Sequence, residues 1–259
     1  MTDEGNGQAE DGRNAGWRGA PRHHVPAVGG HGPARTPRSE PAFNLPPVVL
    51  AAIALCVGVH LVRTQILNAD QDLALLLRTA FVPVFLSGPY DWDIWTLAST
   101  VTYSLLHGGI LHLGVNMVWL AAFGSPLASR MGAWRFVLFW IAASVAGALV
   151  FFAFNPTLQA PLVGASGAIA GMMGAAARFA FRIDRSGRGS RFAGQPLSIA
   201  AALSSRNVLV FVGIWLAVNL ATGLLGAAPG EPSIAWEAHL GGFLLGFLFV
   251  GPFLPRRMA

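Results

Sequence analysis

Charged residues are scarce in this sequence. Only 11% of its 259 residues are Asp, Glu, Lys or Arg, whereas 54% are hydrophobic and the mean hydropathy is +0.54. A soluble domain carries about 25% charged residues, so this chain has less than half the charge that a water-soluble fold of its size needs. The composition therefore excludes a cytosolic enzyme and predicts a membrane protein.

Lysine is absent and cysteine occurs once. All 17 basic residues are Arg, and Cys56 lies within an apolar run. A single Cys excludes both an internal disulfide framework and a cysteine metal cluster. The net charge of +5 and the pI near 10.9 are typical of nucleic-acid binding. In a membrane protein the same charge can instead reflect topology, and the positions of the Arg residues distinguish the two interpretations.

The chain divides into a polar tail and an apolar region. Residues 1–43 are rich in Gly, Pro and charged side chains without apolar periodicity, which predicts a disordered tail. From Leu45 onward, apolar stretches of roughly the 20 residues that span a bilayer as a helix follow at 45–62, 108–127, 136–154, 162–177, 207–228 and 238–255. We predict an all-α, polytopic bundle of six transmembrane helices over residues 44–255, with a short C-terminus at 256–259.

The Arg residues lie on one side of this predicted bundle. Of the 17, 15 fall in the tail, in the loops after the second and fourth stretches, or at the C-terminus, and six of the 12 acidic residues fall in the opposite loops. By the positive-inside rule, both termini are cytoplasmic. The basic charge is thus a topological signal that needs no nucleic acid, and it predicts a multi-pass protein, which we expect in a bacterial inner membrane.

Four polar residues stand out inside the predicted spans: His112, Asn116, Ser166 and His239. Ionisable residues within a span are costly and are commonly functional, although Ser and Asn also serve to hold helices together. Measured from the nearest cytoplasmic Arg on the same helix, all four lie about 21 to 27 Å along the helix axis. Polar residues used only for packing would scatter in depth, whereas these converge on one layer.

Glycines surround these polar residues. Gly164, Gly167 and Gly171 flank Ser166, and Gly242 and Gly246 follow His239. Small residues at this spacing allow two helices to approach closely, and close approach is what would bring the Ser166 hydroxyl within reach of His239. Residues Gly164 to Gly167 precede a helix that is too short to span the bilayer alone, and the N-terminus of such a helix presents unpaired backbone N–H groups at its positive end.

This combination is typical of nucleophilic catalysis, which needs a hydroxyl, a base and donors for the developing negative charge. Ser166 is the candidate nucleophile and His239 the candidate general base. His112, Asn116 and the Ser166 N–H are the candidate oxyanion donors. No acidic residue occurs in this layer, so the sequence predicts a Ser–His dyad rather than a triad. We expect the reaction to use no metal and no cofactor.

These residues carry a resemblance to the rhomboid family of intramembrane serine proteases, of the six-span bacterial type. The resemblance covers about residues 44–255, and its motifs are Gly164 to Gly167 on the fourth span, Ala238, His239, Gly242 and Gly246 on the sixth, and His112 with Asn116 on the second. It implies a serine endopeptidase that cuts transmembrane protein substrates near the outer membrane face through an acyl-enzyme. It also implies that His107 holds the first loop in place.

Three positions depart from the family pattern. Ala170 replaces an aromatic residue that packs on the catalytic His ring, Thr96 replaces an Arg after Trp95, and Ala128 replaces a Glu. Two other functions remain open: an inactive rhomboid-like protein that binds membrane clients, and a small transporter that uses His112 and His239. Transporters of that kind usually carry internal inverted repeats, which this sequence does not show.

Overall fold

The structure, a computed structural model, describes residues 45–186, 189–225 and 235–255. The predicted tail at 1–43 and the C-terminus at 256–259 lie outside these described residues. The first seven helices are α1 (Pro47–Leu61), α2 (Ala69–Thr79), α3 (Val84–Ser87), α4 (Ile94–Thr102), α5 (Ile110–Trp119), α6 (Ser125–Met131) and α7 (Ala133–Phe154). The remaining elements are α8 (Ser166–Arg178), β1 (Ile183–Asp184), β2 (Arg191–Phe192), α9 (Ile199–Leu203), α10 (Arg206–Leu225) and α11 (Trp236–Phe249).

Among the described residues, four helices are long and apolar enough to cross a membrane, and two of them are continued by π-helical turns. They cover Pro47–Ile66, Ile110–Met131, Ala133–Phe154 and Arg206–Gly223. The apolar stretches predicted at 45–62, 108–127 and 136–154 are thereby confirmed as long helices, as is the described part of 207–228. The stretches at 162–177 and 238–255 overlap α8 and α11, which have 13 and 14 residues and are too short to count among the four.

Residues 63–107 form the first connection, between the first and second predicted spans. It contains α2 and α4, each of which begins with a capping box. The Asn68 side chain accepts a hydrogen bond from the Gln71 amide, and the Asp93 side chain accepts one from the Thr96 amide. Such caps satisfy amides that the first turn of a helix leaves unpaired, so this connection carries helical start signals of its own.

A small antiparallel hairpin departs from the predicted all-helical fold. Strands β1 and β2 pair Ile183 with Phe192 and Asp184 with Arg191. Hydrogen bonds from the Ser186 hydroxyl and amide lower the pKa of Asp184 well below its usual value, and Arg191 lowers it further. With two residues each, these strands are too short to produce an alternating pattern in the sequence.

The core of the fold lies where α7, α8 and α11 meet. Helix α8 makes its most extensive contact with α11, and α7 packs against both. Small side chains dominate α8, where Ala168, Ala175 and Ala176 are fully buried. Because these side chains are small, the neighbouring helices pack closely around α8. Helices α8 and α11 are thereby held in a fixed position relative to each other.

Candidate active site

The chain that leads into α8 is fixed by backbone hydrogen bonds to the first connection. Phe81 and Leu162 exchange a pair of hydrogen bonds, and the Gly164 amide donates to the Tyr103 carbonyl at 3.0 Å. Gly164 has a φ of +124°, a conformation that residues with a side chain rarely adopt. The glycine therefore allows the turn after which Ser166 becomes the first residue of α8.

Helices α8 and α11 touch through backbone atoms beside Ser166 and His239. A Cβ on Gly242 would overlap the carbonyl oxygen of Gly167, and a Cβ on Gly246 would overlap that of Gly171. A Cβ on Gly167 would lie 3.4 Å from the carbonyl oxygen of Ala238, the residue before His239. Gly167, Gly171, Gly242 and Gly246 thus lie at the contact between the two helices, whereas Gly164 lies beside His112.

His239 lies on the first turns of α11 and is half-buried. Its Nδ1 is 2.7 Å from Oδ1 of Asn219, on α10. In the described part of the chain, His239 Nε2 makes no hydrogen bond, and none joins His239 directly to the Ser166 hydroxyl. Catalytic hydrogen bonds are often long in a free enzyme and shorten when substrate binds.

His112 and Asn116 lie on α5, on the other side of Ser166. The position that a Cβ on Gly164 would occupy is 2.8 Å from Nε2 of His112 and 3.5 Å from Oγ of Ser166. The imidazole and the hydroxyl therefore flank the same point. Asn116 is buried, and its Nδ2 donates to the His112 carbonyl at 2.9 Å, which leaves the second N–H of the amide available.

His107 stands beside His112 and is held by the end of α1. Its side chain is 1% exposed, and its ring centroid is 5.3 Å from that of His112. The His107 carbonyl accepts a hydrogen bond from Nη1 of Arg63, whose guanidinium also pairs with Asp72 through two contacts of 2.7 and 3.1 Å. A single Arg thus ties the π-helical end of α1 to α2 and to the segment before α5.

Two residues near the site were not singled out by the sequence analysis. Asn219 contacts His239, and its only sequence signal is that an Asn interrupts the apolar stretch at 207–228. Tyr103 is buried, its hydroxyl donates to the Ser144 carbonyl at 2.9 Å, and it lies close to Gly167. A Tyr in a mostly apolar segment carries no signal of this position.

The arrangement contains the groups that acyl transfer requires. A hydroxyl at a helix N-terminus lies beside unpaired backbone amides, with one imidazole on an adjoining helix and another next to the hydroxyl. Within residues 45–186, 189–225 and 235–255, no cluster of three or more His, Cys, Asp or Glu side chains could hold a metal ion. A serine hydroxyl with imidazoles nearby can perform nucleophilic and acid–base chemistry.

Comparison with known proteins adds an independent observation. The sequence model of the Rhomboid domain family matches residues 91–256. This match covers more than half of the chain and includes all four candidate catalytic residues.

Individual relatives are similar over different lengths. Rhomboid-related protein 3 of Homo sapiens is 32% identical over 146 residues, covering 56% of this chain and 34% of that protein. RHOMBOID-like protein 6, mitochondrial, of Arabidopsis thaliana is 30% identical over 232 residues, covering 80% and 67%. Rhomboid protease GlpG of Serratia proteamaculans is 28% identical over 204 residues, covering 78% and 61%. The chain thus matches only about a third of the length of the human relative.

Proposed function

Because the chain belongs to the rhomboid family, and is therefore a multi-pass membrane protein, we propose that it is a serine endopeptidase that cuts transmembrane proteins within the bilayer. The observation that carries this proposal is the position of Ser166. It begins α8 at the point where α8 lies against α11, which carries His239, and its hydroxyl lies beside the His112 imidazole. A Ser that served only in helix packing would need neither the His239 imidazole nor the His112 imidazole near it.

The reaction follows from the roles of these groups. Nε2 of His239 accepts the proton of the Ser166 hydroxyl while Oγ attacks the carbonyl carbon of the scissile peptide bond. The negative charge that develops on the carbonyl oxygen is stabilised by His112, Asn116 and the Ser166 amide. The imidazolium of His239 then protonates the leaving amine, the peptide bond breaks, and an acyl-enzyme remains.

The second half of the reaction returns the enzyme to its starting state. A water molecule transfers a proton to His239 and attacks the acyl carbon, and the carboxylic acid product leaves as Ser166 regains its proton. Water is available because the candidate layer lies a little below the outer face of a hydrocarbon core of about 30 Å. The acyl-enzyme step needs no metal ion and no cofactor.

The topology that we propose has six spans over residues 44–255, with both termini in the cytoplasm and residues 1–43 as a disordered tail. The four long helices supply four spans, and α8 and α11 would supply the other two. Helices of 13 and 14 residues are about 20 Å long, so each needs its flanking segment to reach across the bilayer. We place the protein in a bacterial inner membrane, with transmembrane proteins as substrates and no nucleic-acid partner.

The experiment that tests this function compares three proteins on a model transmembrane substrate in proteoliposomes. The wild-type chain is expected to cut within or next to the substrate span, and Ser166→Ala is expected to abolish cutting. The matched control is Ser144→Ala, because Ser144 is buried on α7 and its hydroxyl has no hydrogen-bond partner among the residues that the structure describes. Cutting that survives Ser166→Ala would refute the proposal. Substrate binding without any cutting by the wild type would instead support a client-binding protein.

A further inference from the structure

The side chain of Asn219 joins two helices beside the candidate general base. It lies on α10, is 5% exposed, and makes two hydrogen bonds to α11. Its Nδ2 donates to the Trp236 carbonyl at 3.1 Å, and its Oδ1 is 2.7 Å from Nδ1 of His239. Both contacts are of ordinary hydrogen-bond length, so the amide is fixed at both ends.

The Trp236 contact determines which way the amide points. A backbone carbonyl can only accept a hydrogen bond, so the NH2 group of Asn219 must face Trp236. The amide oxygen then faces His239, and an amide oxygen can likewise only accept. Nδ1 of His239 must therefore carry a proton, which leaves Nε2 of the neutral ring as an acceptor. This is the form of the imidazole that can take a proton from Ser166.

Nothing else in the described part of the chain holds the His239 ring in this way. No aromatic ring stacks on it there, and the position where the family carries an aromatic residue is occupied by Ala170. The nearby ring of Phe243 is instead stacked on Trp215, with centroids 4.2 Å apart. The hydrogen bond that Nδ1–H of His239 donates to Oδ1 of Asn219 is thus the polar contact that fixes both the rotation and the tautomer of the ring.

The end of α10 is in turn held against α11. A Cβ on Gly223 would overlap the Trp236 side chain, so the two helices are in close contact one turn beyond Asn219. We propose, on the basis of the function proposed above, that Asn219 is a positioning residue that completes a Ser166–His239–Asn219 arrangement. It keeps Nε2 of His239 unprotonated and directed away from Asn219, and it stabilises the imidazolium that forms during attack.

Two substitutions separate this role from a purely structural one. Asn219→Asp and Asn219→Leu both lose the NH2 group that donates to Trp236, but only Asp keeps an acceptor for the Nδ1 proton. If Asn219 positions His239, Asn219→Leu lowers kcat by about 10-fold to 10²-fold, less than the full contribution of about 10² to 10⁴ from a general base. KM is expected to stay unchanged, and Asn219→Asp is expected to retain most of kcat.

The matched control is Thr222→Ala, one turn further along α10, where the Thr222 hydroxyl donates to the backbone carbonyls of Val218 and Asn219 on its own helix and leaves the Asn219 side chain untouched. It is expected to leave both kcat and KM unchanged. Equal loss in Asn219→Asp and Asn219→Leu would overturn the inference, because it would show that only the tie to Trp236 matters. If the wild type cuts and Asn219→Leu cuts with the same kcat, the inference fails while the proposed function stands.

A spectroscopic measurement tests the contact independently of catalysis. Nitrogen-15 NMR of histidine-labelled protein in bilayers distinguishes the two neutral tautomers, and the His239 signal is identified by its loss in His239→Ala. We expect the Nδ1–H tautomer in the wild type and in Ser166→Ala, and a shift toward Nε2–H in Asn219→Leu. An Nε2–H tautomer in the wild type would overturn the inference, even if the protein proved to be inactive as a protease.

Discussion

Gly242 on α11 lies directly against Gly167 on α8, so closely that a Cβ on Gly242 would overlap the Gly167 carbonyl oxygen. The obstacle is backbone of a neighbouring helix, which cannot rotate away as a flexible side chain can. The contact lies one residue after Ser166 and three residues after His239. The distance between the nucleophile and the base is therefore set by the absence of a side chain at this position.

Gly242→Ala is expected to lower both stability and kcat. Overpacking of a close contact costs about 1–3 kcal/mol, and a misplacement of about 1 Å in a catalytic site can cost about 10²-fold in rate. Unfolding in a detergent titration and substrate cleavage are the two measurements. The control is Gly213→Ala on α10, because a Cβ there meets nothing within 4 Å. Equal stability and equal kcat in Gly242→Ala and Gly213→Ala would contradict the explanation that Gly242 is needed for the close approach of α8 and α11.

His112 and Asn116 are expected to act on the rate rather than on binding. Removal of one oxyanion donor costs about 10² to 10³ in kcat, so His112→Ala and Asn116→Ala should each lower kcat by that order with little change in KM. The control on the same helix is Val118→Ala, because the Val118 side chain is exposed on the outside of the bundle. A change in KM with kcat intact would mean that the pair binds substrate instead of stabilising charge.

The ion pair between Arg63 and Asp72 is expected to stabilise the first connection. Their side chains are 10% and 28% exposed, and Arg63 also donates to the His107 carbonyl. Hydrogen bonds to charged groups contribute about 1.5–3 kcal/mol, and partial exposure reduces this, so Asp72→Asn should cost about 1–2 kcal/mol in the free energy of unfolding. We expect less from Asp184→Asn in the β1–β2 hairpin, because Arg191 is 51% exposed. A larger loss in the free energy of unfolding for Asp184→Asn than for Asp72→Asn would show that burial does not determine the strength of these ion pairs.

The proposed topology can be tested by cysteine labelling. After replacement of Cys56 by Ala, a single Cys is introduced either as Asp91→Cys in the first connection or as Arg185→Cys in the loop after the fourth predicted span. A membrane-impermeant maleimide is expected to label Asp91→Cys in intact bacterial cells and Arg185→Cys only after permeabilisation. Labelling in the opposite order would place both termini outside the cytoplasm.

The sequence singled out the candidate residues because polar side chains are rare within its apolar stretches. Ser166 and His239 stood out for that reason, and the glycine spacing indicated the contact of α8 with α11 that the structure shows. Helices α2 and α4 could also have been predicted, since Asn68 with Gln71 and Asp93 with Thr96 form local capping signals.

Asn219 was harder to predict from sequence. It lies 13 residues after Arg206, or about 20 Å along the helix, which is close to the depth of the other polar residues. An Asn in a span is nevertheless common as a contact between helices. Only the fold shows that its amide oxygen faces the imidazole of His239. The two-residue strands of the hairpin are likewise specified by contacts that no local pattern encodes.

The central claim is that Ser166 is the nucleophile and His239 its base. The most direct measurement is mass spectrometry of the protein after reaction with a fluorophosphonate, which forms a covalent bond only with an activated serine hydroxyl. We predict one adduct on the peptide that contains Ser166, its loss in His239→Ala, and its retention in Ser144→Ala. An adduct on another serine, or an unchanged Ser166 adduct in His239→Ala, would contradict the claim.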